Sequence, residues 1–161
     1  RQTSLSDETA NWKTYRNDKW GFEIKYPPNL DFEPKVITSG GEPVFVSLAD
    51  GTGKDQIILE IARDESVNCD DETTWLASCD YICEREKERE VRKDIEVDNY
   101  PAKFVSRFES SMRPPIIKRT YVCVKSDPPV VFDFRINNTE EQNTKYFPIF
   151  NQILSTFKFI E

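Results

Sequence analysis

The stretch that decides the fold is Trp20-Gly21-Phe22-Glu23-Ile24-Lys25-Tyr26-Pro27, in which apolar and charged residues alternate. A period of two predicts a β-strand with one buried face. The prolines at residues 27–28 end that strand. Upstream lies a short aromatic run at residues 12–15, and residues 16–19 between the two runs are turn-forming. The sequence therefore predicts a β-hairpin near the start of the chain.

Segments of the same kind follow along the chain, and turn residues or prolines bound them. Further strands are predicted at residues 44–48, 56–62, 95–97, 103–108, 116–124 and 130–136.

Two segments instead repeat their apolar residues at intervals of three and four. The first is predicted to form an amphipathic helix from the acidic residues 70–72 to Glu90, with an apolar face of Trp75, Leu76, Cys79, Ile82 and Cys83. The second covers residues 146–157, with Pro148 in its first turn. About eight strands and two helices in the order β-β-β-β-α-β-β-β-β-α predict an α+β fold, an antiparallel sheet covered by helices.

Charge and composition exclude several classes of partner and site. The 161 residues include 22 basic and 29 acidic side chains, a net charge of −7, so a nucleic-acid partner is not expected. The chain has no histidine, which removes the commonest general base and metal ligand.

We expect a polar linker at residues 1–10 and a single domain at residues 11–161. Because the chain begins at Arg1 and holds no apolar run of about 18 residues, any targeting segment or membrane anchor is expected outside it.

Three segments together resemble the PsbP-like proteins, especially the bacterial exported and lipoprotein members. These segments are residues 12–27, residues 95–102 and residues 150–159, and their spacing matches over residues 11–161. The resemblance implies an α/β/α sandwich with a central antiparallel sheet, a non-enzymatic binding fold, and export, often with an N-terminal anchor and a polar linker.

The known roles of the family do not transfer to this chain. Plant members are extrinsic subunits of photosystem II in the thylakoid lumen, and a eukaryotic relative binds the GTPase Ran. The absence of histidine removes any histidine metal site of the plant subunits. Leu30 stands where a tryptophan usually follows the Tyr-Pro motif. Fold alone does not give function.

Four cysteines predict two disulfides if the domain is exported: Cys69, Cys79, Cys83 and Cys123. Because Cys79 and Cys83 lie on one face of the predicted helix, each is expected to find its partner elsewhere. We expect one bridge from Cys69 to the helix and one from the helix to Cys123, among three possible connectivities. The alternatives are free buried thiols and a Cys₄ zinc site, for which only the spacing of Cys79 and Cys83 is suitable.

Aromatic residues in the first two strands form a candidate binding surface for a sugar or a peptide. Its members are Trp12, Tyr15 and Trp20. The alternative for these side chains is packing in the core and at the sheet edge.

These observations predict a non-enzymatic, exported and surface-tethered binding or assembly module. Its expected partner is an unknown protein or cell-envelope component, and we expect a monomer without cofactor, metal or catalytic residues. The first alternative is an extrinsic accessory subunit of a membrane complex. The others are a carboxylate-dependent hydrolase, which requires a cleft with a raised carboxyl pKa, and an intracellular GTPase adaptor with reduced cysteines.

Overall fold

A computed structural model describes residues 8–28, 35–39, 42–50, 57–110, 116–137 and 139–160. Most of the predicted linker, residues 1–7, lies outside this range. Of its remaining residues, Thr9 is buried, and Glu8 accepts a hydrogen bond from the side chain of Gln152 at 2.6 Å. No helix in the described ranges is long and apolar enough to span a bilayer.

The strands form two antiparallel sheets. The smaller sheet has the order β1-β2-β10, and the larger sheet has the order β3-β4-β5-β9-β8-β7-β6. The strands are β1 (Lys13–Asn17), β2 (Phe22–Tyr26), β3 (Lys35–Ser39), β4 (Glu42–Asp50), β5 (Ile57–Arg63), β6 (Val91–Val97), β7 (Tyr100–Ser110), β8 (Ile116–Val124), β9 (Val130–Asn137) and β10 (Lys158–Phe159). The predicted α+β fold is confirmed, and the first hairpin is the β1–β2 pair.

Two strands were not predicted, and each has a weak signal. In β3 the side chains of Val36 and Ile37 are adjacent and exposed, so the strand lacks a period of two. The strand β10 has two residues and pairs only with β2. Strands this short carry too few residues for a period to be recognised.

The predicted C-terminal helix is present and begins earlier than expected. It is α2, Glu140–Thr156, and the hydroxyl of Thr139 caps it by accepting a hydrogen bond from the N–H of Gln142 at 3.1 Å. Pro148 therefore lies inside the helix rather than in its first turn. The residues of the helix before Tyr146 are polar, so they show no apolar repeat from which the start of the helix could be predicted.

The predicted helix from residues 70–72 to Glu90 is wrong. The segment forms a 3₁₀ turn (Glu72–Thr74), the short helix α1 (Tyr81–Arg85) and a second 3₁₀ turn (Lys87–Arg89). Asp71 and Asp80 each accept a hydrogen bond from a backbone N–H two or three residues ahead, at 3.1 and 2.8 Å. Such caps start a new turn and compete with a continuous helix.

The disulfide connectivity also differs from the expected one. Cys69 pairs with Cys123, and Cys79 pairs with Cys83, each with a Cα–Cα distance of 5.5 Å. Cys79 precedes α1 because Asp80 is the extended N-cap residue, so helix geometry does not constrain this pair. All four cysteines are oxidised, which leaves no thiolate for a zinc site.

The larger sheet is the middle of three layers. On one face, α2 and the smaller sheet cover an aromatic core, in which Phe134 stacks on Phe150 with ring centroids 4.6 Å apart. On the other face lies the segment at residues 64–90, which we call the covering segment. Its Trp75 packs with Val105, Tyr121 and the Cys69–Cys123 bridge. The second covering layer thus consists of turns and one short helix rather than a long helix.

The three segments that carry the family resemblance meet at one seam between the sheets. The carbonyl of Gly21 accepts a hydrogen bond from the N–H of Ile160 at 2.9 Å. The carboxylate of Asp98 accepts one from the N–H of Phe159 at 2.7 Å. Arg63 donates to the carbonyl oxygens of Trp20, Asp127 and Pro128. These contacts hold the layers together, and Arg63 and Ile160 contribute to them from outside the three segments.

Replacing Gly21 with alanine is expected to lower the free energy of unfolding by about 1 to 2 kcal/mol. Gly21 has φ +67°, and an added Cβ would lie 3.1 Å from the Ile160 carbonyl oxygen. Urea unfolding followed by circular dichroism measures the effect. Thr14→Ala, at an exposed position of β1, is the control and should change the free energy by less than about 0.5 kcal/mol. Equal midpoints for both variants would contradict the strained-turn assignment.

Candidate functional site

Six charged side chains lie on one face of four neighbouring strands and form a continuous set of ion pairs. We call this set the charged ladder; its members are Glu60 on β5, Asp133 and Arg135 on β9, Arg119 on β8, and Arg107 and Glu109 on β7. The register places Arg119 directly opposite both Arg107 and Arg135. Like charges placed opposite each other destabilise a sheet, so the interleaved carboxylates are what makes the arrangement stable.

Asp133 is the centre of the ladder. Its Oδ1 accepts hydrogen bonds from Nε of Arg119 at 2.9 Å and Nε of Arg135 at 3.3 Å. Its Oδ2 accepts from Nη2 of Arg119 at 2.6 Å and Nη2 of Arg135 at 2.7 Å. Nη2 of Arg135 also donates to Oε2 of Glu60 at 2.8 Å. Both oxygens of Asp133 are therefore occupied by arginine N–H groups.

The other end of the ladder is more deeply buried. The side chains of Arg107 and Glu109 are 5% and 6% exposed and lie 2.7 Å apart. Glu109 also accepts hydrogen bonds from Arg119 at 3.0 Å and from the hydroxyl of Tyr121 at 2.9 Å. Arg107 donates to the carbonyl of Ala77 at 2.5 Å, which ties the covering segment to β7.

The environment moves the pKa values of the two cleft-facing carboxyl groups in opposite directions. Burial alone would raise the pKa of Asp133, but hydrogen bonds from Arg119 and Arg135 outweigh it and hold this pKa below its ordinary value. Burial raises the pKa of Glu60, and the charge of Arg135 offsets this only in part. Burial is also the main reason why the pKa of the Tyr121 hydroxyl is raised. A desolvated carboxylate therefore lies next to one that is held ionised.

A small cleft of about 150 Å³ opens beside the ladder, and we call it the Trp75 cleft. Its lining consists of Glu60, Ala62, Trp75, Arg119, Tyr121, Val131 and Asp133. The indole Nε1 of Trp75 is buried and has no hydrogen-bond acceptor among the described residues. A buried donor without an acceptor costs about 1 to 3 kcal/mol. The cleft therefore lies beside a buried donor that has no acceptor among the described residues.

Local contacts fix the position of Trp75. It follows the 3₁₀ turn at Glu72–Thr74, whose cap is the side chain of Asp71. The Cys69–Cys123 bridge anchors the start of this loop to β8. The indole ring meets the ring of Tyr121 edge-on, with centroids 6.5 Å apart. Trp75 is therefore held beside the cleft by a covalent tie and by packing.

The candidate aromatic surface is not assembled as an exposed platform. Trp20 is 8% exposed and belongs to the core, which corrects its assignment to a binding surface. Trp12 and Tyr15 are partly buried and pack against the same core, with Tyr15 and Phe22 ring centroids 6.1 Å apart. Packing fits these positions because the β1–β2 hairpin covers the larger sheet.

Sequence reasoning missed both the charged ladder and the role of Trp75. The helical period assigned Trp75 to an amphipathic helix, whereas it lies in a loop. A signal for the ladder was present in the strands. In β7 and β9, charged residues occur at every second position, at 107 and 109 and at 133 and 135, whereas Arg119 of β8 lies between Lys118 and Thr120. Alternation indicates one face, but not which strands are neighbours.

Comparisons with known proteins identify the fold. No family model matches the chain, and no curated protein matches it. Cyanobacterial PsbP (CyanoP) from Synechocystis sp. PCC 6803 has a similar solution structure, with a TM-score of 0.53, 13% sequence identity and coverage of 91% of each chain. A protein of unknown function from Pseudomonas aeruginosa has a TM-score of 0.46 and 15% identity, over 90% of this chain and 94% of that one. The chain thus has a PsbP-like fold, as the sequence resemblance implies.

Proposed function

We propose that this domain is a non-catalytic, exported binding module that takes a segment of a protein partner into the Trp75 cleft. The observation that carries the proposal is the state of the carboxyl groups at this cleft. Carboxylate-dependent hydrolysis of a glycoside uses two carboxyl groups whose oxygens can reach the substrate. Both oxygens of Asp133 are already occupied by arginine N–H groups.

The remaining groups of the cleft are suited to recognition. The buried N–H of Trp75 lacks an acceptor among the described residues. The carboxylate of Glu60 accepts one hydrogen bond from Arg135 at Oε2 and can accept more. Ala62 and Val131 supply apolar surface between them. A polypeptide backbone offers a carbonyl acceptor and an N–H donor at short spacing. A protein loop is therefore the partner that fits these groups best.

Export and surface tethering are further parts of the proposal. Two disulfides, with no free cysteine in the chain, are typical of proteins from an oxidising compartment. The family that the sequence resembles contains exported, anchored members without enzymatic activity. A tether would keep the cleft at the membrane surface, where an envelope protein is within reach.

The test uses wild type and three variants of the oxidised protein as baits for the membrane fraction of the source cells. Trp75→Phe keeps the ring packing and removes the N–H, and Ala62→Phe fills the cleft without changing its charge. Trp12→Phe, on the opposite side of the larger sheet, is the control. We expect a partner retained by wild type and Trp12→Phe, bound about two- to tenfold more weakly by Trp75→Phe and not by Ala62→Phe.

Equal retention by all variants would overturn the assignment of the cleft, provided that each variant shows wild-type circular dichroism. If no protein is retained by wild type either, the partner assignment fails.

A carboxylate-dependent hydrolase is the second candidate, and one observation favours it. The pKa values of Glu60 and Asp133 move in opposite directions beside the same cleft, which is the arrangement that separates an acid from a base in many enzymes. Turnover of a glycoside or ester panel by wild type, lost in Glu60→Gln and kept in Glu65→Gln, would replace the binding proposal. Glu65 is the control because it is exposed and lies outside the cleft.

A further inference from the structure

The two disulfides have opposite exposure. Cys69 and Cys123 are 4% and 0% exposed, and their bridge lies under the covering segment. Cys83 is 2% exposed, whereas its partner Cys79 is an exposed residue. A reagent in solution can therefore reach the Cys79–Cys83 bridge from one side while the protein remains folded.

The exposed half of this bridge lines an open cleft of about 310 Å³. Ser78, Lys87 and Arg107 are among the other lining residues, together with acidic side chains. Three acidic and three basic residues balance in the lining. Access for a thiolate, the attacking species in thiol–disulfide exchange, therefore depends on the open shape of the cleft. The cleft has room for an attacking group to approach Sγ of Cys79.

The fold around α1 does not depend on this bridge. Oδ1 of Asp80 accepts the N–H of Cys83 at 2.8 Å and so caps α1. Oδ2 of Asp80 accepts hydrogen bonds from the N–H and the hydroxyl of Ser110 at 2.8 and 2.7 Å, which attach α1 to β7. The two cysteines are only four residues apart, so opening the bridge releases no long loop.

We propose that Cys79–Cys83 is a thiol–disulfide exchange site for a dithiol, whereas Cys69–Cys123 is structural. A thiolate of the dithiol attacks Sγ of Cys79, the S–S bond breaks, and its electron pair goes to Sγ of Cys83, which takes up a proton. The second thiolate of the dithiol then attacks the dithiol sulfur that is bonded to Cys79 in the mixed disulfide. The Cys79 thiolate leaves and takes up a proton. The dithiol is oxidised by two electrons, and the protein gains two thiols.

The test treats the native, oxidised protein with dithiothreitol and stops the reaction at intervals by alkylation. Peptide mass spectrometry then assigns the alkyl groups to the four cysteines. We expect Cys79 and Cys83 to become labelled at least about tenfold faster than Cys69 and Cys123, because the buried bridge reacts only after local opening. Circular dichroism should stay unchanged when only the first pair is labelled.

A variant with both Cys79 and Cys83 replaced by serine provides a second measurement. It should lose the fast phase and keep the slow one. Simultaneous labelling of all four cysteines, or labelling of Cys69 and Cys123 first, would overturn the proposal. If the double serine variant also lost the native circular dichroism spectrum, the proposal would be overturned, since the Cys79–Cys83 bridge would then be structural.

Discussion

Replacing Asp133 with asparagine is expected to lower the free energy of unfolding by about 3 to 5 kcal/mol, because it removes the central charge of a buried network. Arg119 and Arg135 both donate to this carboxylate, and their side chains are 18% and 30% exposed. Without it, two arginines on adjacent strands face each other with only Glu60 and Glu109 to balance them. Urea unfolding followed by circular dichroism at neutral pH measures the loss.

The matched control is Asp94→Asn. Asp94 also pairs with a basic residue, Lys103 at 2.7 Å, but its side chain is 78% exposed. An exposed pair contributes about 0 to 1 kcal/mol, so this variant should unfold almost like wild type. Similar losses for the two variants would contradict the central position of Asp133 in the ladder.

Acid should reproduce part of the effect of the Asp133 substitution. Since the pKa of Asp133 is lowered in the folded protein, its contribution is complete above the ordinary aspartate pKa of about 4 and is lost as pH falls through the folded-state value. The difference in stability between wild type and Asp133→Asn should therefore shrink below about pH 4. A difference that stays constant down to the acid transition would contradict this assignment.

Removing the buried bridge, by replacing both Cys69 and Cys123 with alanine, is expected to cost about 4 kcal/mol in the chain-entropy model. The two cysteines are 54 residues apart in the sequence, so the reduced unfolded chain gains much freedom. Replacing Cys79 and Cys83 in the same way should cost only about 2 kcal/mol, because that loop is short. Both values come from urea unfolding of the oxidised proteins.

The loss of the Cys69–Cys123 bridge should also affect the Trp75 cleft. The indole N–H resonance of Trp75, assigned with Trp75→Phe, should move or broaden in this variant and stay in place when the short bridge is removed. Equal costs for the two bridges, or an unchanged Trp75 resonance, would show that the long bridge does not position the covering segment.

The parts of the fold that could be predicted from the sequence are those where the neighbours of a residue along the chain determine its environment. In β2, every second residue is buried, and the alternation of Phe22, Ile24 and Tyr26 shows this directly. The covering segment could not be predicted in this way. Trp75 and Cys83 belong to separate turns, but their spacing in the sequence matches a helical period. Asp71 and Asp80 interrupt the helix there by capping, which a hydrophobic pattern does not reveal.

The site depended on neighbours far apart in sequence, which explains why little of it was predicted. Asp133 and Arg119 become partners only through the register of β8 and β9. The pairing of Cys69 with Cys123 likewise depends on the path of the covering segment over β8. The number of cysteines predicted two bridges, and no sequence pattern could choose among the three connectivities.

The most direct test of the account is a pH titration of the cleft carboxyl groups by ¹³C NMR on the folded protein. Asp133→Asn and Glu60→Gln assign the two signals. We expect Asp133 to stay ionised below its ordinary pKa of about 3.9, and Glu60 to protonate above its ordinary pKa of about 4.3. Such a result would show that the arginines hold Asp133 as a fixed structural charge. Protonation of Asp133 at or above about 3.9 would contradict this assignment, since the hydrogen bonds from the two arginines would then not stabilise its charge.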